Sequence, residues 1–105
     1  MTIATTVIEN RNTGTGQPLT EKLILDTSTQ IVGTNRSRAS IYMVNISNFD
    51  MWVSGDVPAK FGFGLLLGKN GGSLSLGADF ITLGPINGIV SGANSAIVSF
   101  QEFNR

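Results

Sequence analysis

The side chains that could take part in catalysis are few, because the chain contains no histidine and no cysteine. The commonest general base, the commonest nucleophile–base pairs and the usual transition-metal ligands are therefore missing. We predict that the protein is not an enzyme and has no catalytic, metal-binding or cofactor-binding residue. The carboxylates that remain stand singly, mostly at turns: Glu9, Glu21, Asp26, Asp50, Asp56, Asp79 and Glu102.

Asp50 and Asp56 flank Trp52 and make a conceivable glycosidase pair. Such an enzyme holds two carboxyl groups about 5–9 Å apart across a sugar cleft. Aspartate is also a common capping residue of turns. We expect both carboxylates to cap the turns on either side of a strand.

The charge balance indicates which classes of binding partner the chain could attract. Seven basic and seven acidic side chains cancel, and charged residues make up only 13% of the chain. A field that would concentrate nucleic acid or an anionic membrane surface is absent. No apolar run approaches the ~20 residues of a membrane span, and no basic segment followed by an apolar run suggests a cleaved secretory signal. We expect neither nucleic acid nor a membrane as a partner.

The clearest strand signal is the alternation in ASIYMVNIS, residues 39–47. One face carries Ile41 and Met43 together with Asn45, and the other carries the apolar residues at 42, 44 and 46. Side chains alternate between the two faces of a strand, so we expect the more hydrophobic set to face inward.

Other short apolar runs are separated by turn residues at regular intervals. KNGG (69–72) predicts a hairpin, because asparagine and glycine tolerate positive φ. The interruption at Gly84–Pro85 suits a bulge or an edge strand. The remaining strand segments are LILDTSTQIVG (23–33, two pieces around a polar break), MWVSG (51–55), FGLLLG (63–68), SLSLG (73–77), ITLGPINGIVSG (81–92) and SAIVSFQEF (95–103).

These signals predict an all-β fold of seven to nine short antiparallel strands. We expect a single antiparallel β-sandwich, jelly-roll-like or Ig-like, with a small barrel as the alternative. The β-branched segment TIATTVIE and the loop after it predict an extended N-terminal arm over residues 1–20, attached to a sandwich domain over residues 21–105. An ordinary edge strand is the alternative for the arm.

The bulky aromatic residues divide between core and surface. We expect the core to contain four or five of Tyr42, Trp52, Phe61, Phe63, Phe80, Phe100 and Phe103, and those left over to serve as interface or sugar-stacking residues. Phe49 and Trp52, beside a loop, are the aromatics most readily placed outside the core. Together with the arm they form our predicted protein interface: Thr2, Ile3, Val7, Ile8, Phe49 and Trp52.

Three stretches carry a family resemblance: NRSRASIYMVNISNFDMWVSG, GFGLLLGKNGGSLSL and LGPINGIVSGANSAIVSFQEF. In them an Arg-x-x-Ile strand ends in an Asn-rich turn, an apolar Trp-Val strand and a Gly-bounded apolar segment follow, and a Gly-Pro-Ile segment precedes a last alternating strand. This layout resembles that of small bacteriophage virion structural proteins of the head decoration (cement) or head-fibre type.

The resemblance implies a β-sandwich that self-associates, with a trimer favoured, and that binds the phage major capsid protein or another virion protein at the particle surface. The β-branched arm would add a strand to the sheet edge of a neighbour. Alternatives are a fibre, tail or neck component, and a carbohydrate- or receptor-binding module that uses Trp52. No cofactor is expected.

Overall fold

The computed structural model describes residues 15–77 and 80–105. In these residues the chain forms nine strands and no helix, which confirms the all-β prediction. The strands are β1 (Thr15–Gly16), β2 (Thr20–Ile24), β3 (Thr29–Val32), β4 (Arg38–Asn45), β5 (Met51–Gly55), β6 (Leu65–Leu67), β7 (Ser73–Leu76), β8 (Ile86–Val90) and β9 (Ala96–Asn104).

All strand pairs are antiparallel and belong to two sheets. Sheet A has the order β1-β9-β4-β7, with β2 also paired to β9, and sheet B has the order β3-β8-β5-β6. The pairs β2–β9, β3–β8, β4–β7 and β5–β6 describe one long ribbon, in which the first half of the chain runs against the second half. The pairs β4–β9 and β5–β8 then join successive turns of that ribbon.

The two sheets enclose one hydrophobic core to which both contribute. Its residues are aliphatic or methionine apart from Phe100, and they alternate with outward-facing residues along the strands. Sheet A contributes Ile24, Ile41, Met43, Leu76, Ala96, Val98 and Phe100, and sheet B contributes Ile31, Val32, Met51, Val53, Leu67, Ile86 and Val90.

In β4 the inward face is the one that contains a polar residue. Ile41, Met43 and Asn45 are buried, whereas the wholly apolar set at 42, 44 and 46 faces outward. The prediction that the more hydrophobic face of this strand points inward is therefore wrong. Asn45 is accommodated because its side-chain hydrogen-bonding groups are all used. Its Nδ2 donates to the carbonyls of Phe49 and Leu67, and its Oδ1 accepts from the backbone N–H and hydroxyl of Ser47. A satisfied amide can replace an apolar side chain in a core.

The KNGG turn has the expected backbone but a different role. Asn70 and Gly71 both have positive φ, 59° and 98°. The strands on either side are not partners, however: β6 belongs to sheet B and β7 to sheet A. The hairpin prediction is therefore wrong, and the turn is a crossover between sheets. It is held by backbone hydrogen bonds from Asn70 to Ser47 and from Gly71 to Asn45.

Gly84–Pro85 does not interrupt a strand, because β8 begins only at Ile86. β8 is an interior strand between β3 and β5, so proline, which lacks an N–H, falls just outside the ladder. The irregular register is found instead in the pairing of β3 with β8, between Gln30 and Val32.

The predicted arm, residues 1–20, is only partly described. Its residues 15–20 belong to the body: β1 pairs with the end of β9, and β2 begins at Thr20. The predicted boundary between the arm and the sandwich domain, after residue 20, thus falls inside strand β2. Residues 1–14 lie outside the described residues.

A buried arginine, Arg38, connects the two sheets through hydrogen bonds at one end. Arg38 is fully buried, and its Nε donates to Glu102 Oε2 at 2.8 Å. The rest of the guanidinium donates to the carbonyls of Gly33, Thr82 and Gly84 at 2.6–2.9 Å. One side chain therefore joins the turn after β3, the segment before β8 and strand β9. Burial of a charge is tolerated when it is paired and hydrogen-bonded in this way.

We predict that Arg38→Met lowers the free energy of unfolding by about 3–5 kcal/mol, because it leaves a carboxylate and three carbonyl groups without their donor. Arg36→Met is the matched control, since Arg36 is exposed two residues away, and it should change stability by no more than about 0.5 kcal/mol. Urea unfolding of both variants measures the difference. Equal stabilities would contradict the role assigned to Arg38.

Candidate functional site

The connection between β5 and β6, residues 56–64, lies across the outer face of sheet B. The hydroxyl of Ser54 and the amide of Asn87 both donate to the carbonyl of Val57 at 2.8 Å. The N–H of Ala59 donates to the hydroxyl of Ser28, just before β3, and Ala59 is buried. The loop is thus hydrogen-bonded to residues on or beside three strands of the sheet, which gives it a defined position.

The second half of this loop presents large apolar side chains. Phe61 is 50% exposed, Phe63 is 60% exposed, and Leu66 in the following strand is 53% exposed. The Phe61 ring meets the ring of Trp52 edge-on, at 6.3 Å between centroids and an interplanar angle of 75°. Trp52 faces outward from β5, where Leu66 and Ile89 are its partners across the sheet. We call Trp52, Phe61, Phe63 and Leu66 the aromatic surface.

Glycine at position 64 shapes this surface. Gly64 has φ of 95°, and a Cβ atom there would collide with the carbonyl oxygen of Val53. Only glycine permits so close an approach of the loop end to β5. Beside this surface the Nζ of Lys60 lies 4.5 Å from the centroid of the Phe63 ring, a cation–π contact.

The distribution of aromatic residues differs from the expectation. Of the seven candidates only Phe100 is buried, while Tyr42, Trp52 and Phe103 are half-buried and Phe61, Phe63 and Phe80 are exposed. The prediction of four or five aromatics in the core is wrong, because aliphatic and methionine side chains on alternating strand positions already fill the space between the sheets.

The predicted interface residues are only partly placed. Phe49 is 39% exposed in the turn between β4 and β5, and Trp52 is half-buried on sheet B. The ring that contacts Trp52 is that of Phe61. The arm residues of the predicted interface, Thr2, Ile3, Val7 and Ile8, lie outside the described residues.

Sequence reasoning overlooked Phe61, Phe63 and Leu66 as surface residues. The signal was the Phe-Gly-Phe-Gly run at 61–64, since each phenylalanine is followed by a residue that weakens a strand. A run of that kind suits a loop better than a core strand.

The carboxylates hold loops in place. Asp50 accepts from the N–H of Lys69, Asp56 from the hydroxyl of Thr82, and Asp26 from the N–H of Ala93. Each accepts from a segment distant in sequence, whereas Asp50 and Asp56 were expected to cap their own turns. Asp50 and Asp56 stand at opposite ends of β5, about 20 Å apart at the rise of a strand. This separation exceeds the ~5–9 Å of a glycosidase pair.

Within residues 15–77 and 80–105, no group of three His, Cys, Asp or Glu side chains is placed to hold a metal ion. The same part of the chain contains no helix of the length and hydropathy needed to cross a membrane. Comparison with known proteins found no matching family model, no matching curated protein and no matching solved structure.

The geometry of the aromatic surface suits the binding of another macromolecule. Exposed contiguous apolar surface on a soluble protein commonly marks an interaction site. Aromatic side chains are enriched at the centres of protein interfaces, where they supply most of the binding energy. The chemistry available here is burial of apolar surface.

We predict that Phe61→Ala lowers the free energy of unfolding by no more than about 1.5 kcal/mol, the value of one aromatic pair. Phe100→Ala, the same change at the buried phenylalanine, should cost about 3–5 kcal/mol. Urea unfolding of the two variants compares them directly. A large loss from Phe61→Ala would show that this ring belongs to the core and is not free for a partner.

Proposed function

We propose that the protein is a structural component of a bacteriophage particle, a capsid decoration (cement) protein that self-associates and binds the major capsid protein through its aromatic surface. The observation that carries the proposal is a set of large apolar side chains held outward on a loop that is hydrogen-bonded to sheet B. A core that is complete without these side chains leaves them available for a partner.

The strand pairing supports this proposal through the fold. The chain forms a ribbon in which β2–β5 pair with β9–β6 in reverse order, divided between two sheets, and this pairing supports the jelly-roll-like type of β-sandwich. In an Ig-like sandwich the strands divide differently between the sheets. Jelly rolls occur in viral capsid domains and in lectins. One fold can host many functions, so the exposed aromatic surface is the main support for a role in capsid decoration.

The physical basis of such a function is area and repetition. A decoration protein is present in many copies, and each copy needs only a modest contact for the whole layer to bind strongly. With charged residues at 13% and net charge zero, the chain has little charge to keep it apart from a neighbour. Contacts by Phe61, Phe63 and Leu66 would remove apolar surface from water.

A fibre, tail or neck component would use the same chemistry at another place in the particle. A carbohydrate-binding module would instead need an open ring face on Trp52 for stacking. Trp52 is half-buried, and the Phe61 ring packs against it. This contact favours a protein partner over a sugar.

The test of location is the protein composition of purified phage particles, followed after separation of heads from tails. We expect the chain in the head fraction, in many copies per particle. Quantitative mass spectrometry measures this. Absence of the chain from the particles would overturn the proposal, and presence only in tails would reassign it to the fibre, tail or neck alternative.

We also predict that Phe61→Ser combined with Phe63→Ser abolishes binding to heads that lack this protein, because the contact loses two apolar anchors. The matched control is Leu23→Ser with Ile97→Ser, a pair of exposed apolar side chains that are partners on the outer face of sheet A. Co-sedimentation with the heads compares the variants. Equal binding by both would contradict the assignment of the contact to the aromatic surface.

A further inference from the structure

A cavity of about 300 Å³ lies at one end of the molecule, between the edge strands of the two sheets. Leu65 of β6 and Leu76 of β7 line it from the two sheets, and Ile81 lines it from the segment before β8. Asp56 and Phe80, which are exposed, also line it, so the cavity reaches the surface. It exceeds the ~150 Å³ of an apolar cavity that binds benzene, and it has room for an aliphatic side chain.

The strands beside the cavity are short and stand at sheet edges. β6 has three residues and pairs only with β5, and β7 has four residues and pairs only with β4, within the described part of the chain. An edge strand presents N–H and C=O groups that can pair with an added strand. The cavity and these edges together form an acceptor for an extended segment that carries apolar side chains.

The sequence contains a segment of that kind outside the described residues. Residues 2–8, TIATTVI, are mostly β-branched, and in an extended conformation Ile3 and Val7 share one face. They would stand about 13 Å apart on that face. Six residues separate Ile8 from Thr15, so an extended chain carries Ile8 up to about 24 Å from the body.

The described chain begins at one edge of sheet A, and the acceptor lies at the other. Thr15 pairs with Asn104 in the β1–β9 pair at one edge, and β7 is the other edge, three strand spacings or about 14 Å away. A contact that joins one edge of a subunit to the opposite edge of the next is head-to-tail, and such contacts form a ring where the rotation between subunits closes.

We propose that residues 2–8 of one subunit pair with the edge strand β7 of a second copy of this chain and place Ile3 or Val7 in the cavity beside Phe80. This inference rests on the self-association in the proposed function and names the site of that contact. Main-chain hydrogen bonds would provide affinity, and the apolar side chain would set the register.

The chain has no cysteine, so introduced cysteines report only the designed contact. A Val7→Cys chain labelled with ¹⁵N is refolded together with an unlabelled Phe80→Cys chain and oxidised, and mass spectrometry identifies the linked pair. Leu23→Cys replaces Phe80→Cys as the control, since Leu23 is also exposed, 54% against 67%, does not line the cavity and is not part of the aromatic surface. We expect a mixed-label dimer with Phe80→Cys and none with Leu23→Cys. Equal yields would overturn the proposal, as would a disulfide within one chain when Val7→Cys and Phe80→Cys are combined in the same chain.

A second pair of full-length variants keeps the test independent of cross-linking. Ile3→Asp with Val7→Asp should convert the oligomer to a monomer, measured by light scattering, because whichever side chain enters the cavity would then carry a negative charge beside Asp56. Thr2→Asp with Thr6→Asp adds the same charges to the opposite face and should leave the oligomer intact. An oligomer unaffected by the first pair would refute this contact while leaving the proposed function standing. Absence of the chain from phage particles would refute the function itself.

Discussion

The buried cation Arg38 joins segments of the structure that are far apart in sequence. The guanidinium of Arg38 has no access to water, and its stability in the interior comes from one carboxylate and three carbonyl oxygens. Asn35 extends the network, since its amide donates to Glu102 and Asn104. The C-terminal residue closes it, because Arg105 donates to the carbonyls of Ser37 and Arg38. The turn between β3 and β4 is thereby connected by hydrogen bonds to strand β9.

The residues that stabilise the fold are therefore different from the large aromatic residues on its surface. The core between the sheets consists of aliphatic and methionine side chains with one phenylalanine, and the polar network fixes the end where the loops meet. Large aromatic side chains are then free to face outward without loss of the fold. The loop that carries Phe61 and Phe63 is attached by hydrogen bonds to Ser28, Ser54 and Asn87, all outside the apolar core. A partner would therefore meet a surface that is already ordered, which would lower the entropy cost of binding.

Local features of the fold followed from the sequence, and long-range features did not. The alternation in residues 95–103 predicted a strand where β9 is found, and positive φ at Asn70 and Gly71 followed from residue type. The partner of each strand is decided by contacts far apart in sequence, so a turn of the right chemistry was assigned to the wrong pairing. The burial of Arg38 and Asn45 was equally hidden, because it depends on carbonyl groups that loops from elsewhere in the chain supply. The exposed phenylalanines were missed for the complementary reason: hydrophobicity alone does not show that the core is already full.

We propose that another protein covers the apolar side chains on the β5–β6 connection. A high-resolution electron cryo-microscopy map of the chain in its assembled state tests this proposal. We expect Phe61, Phe63 and Leu66 to be covered there by side chains of a different polypeptide. A map in which these three residues remain open to solvent in the complete assembly would contradict it.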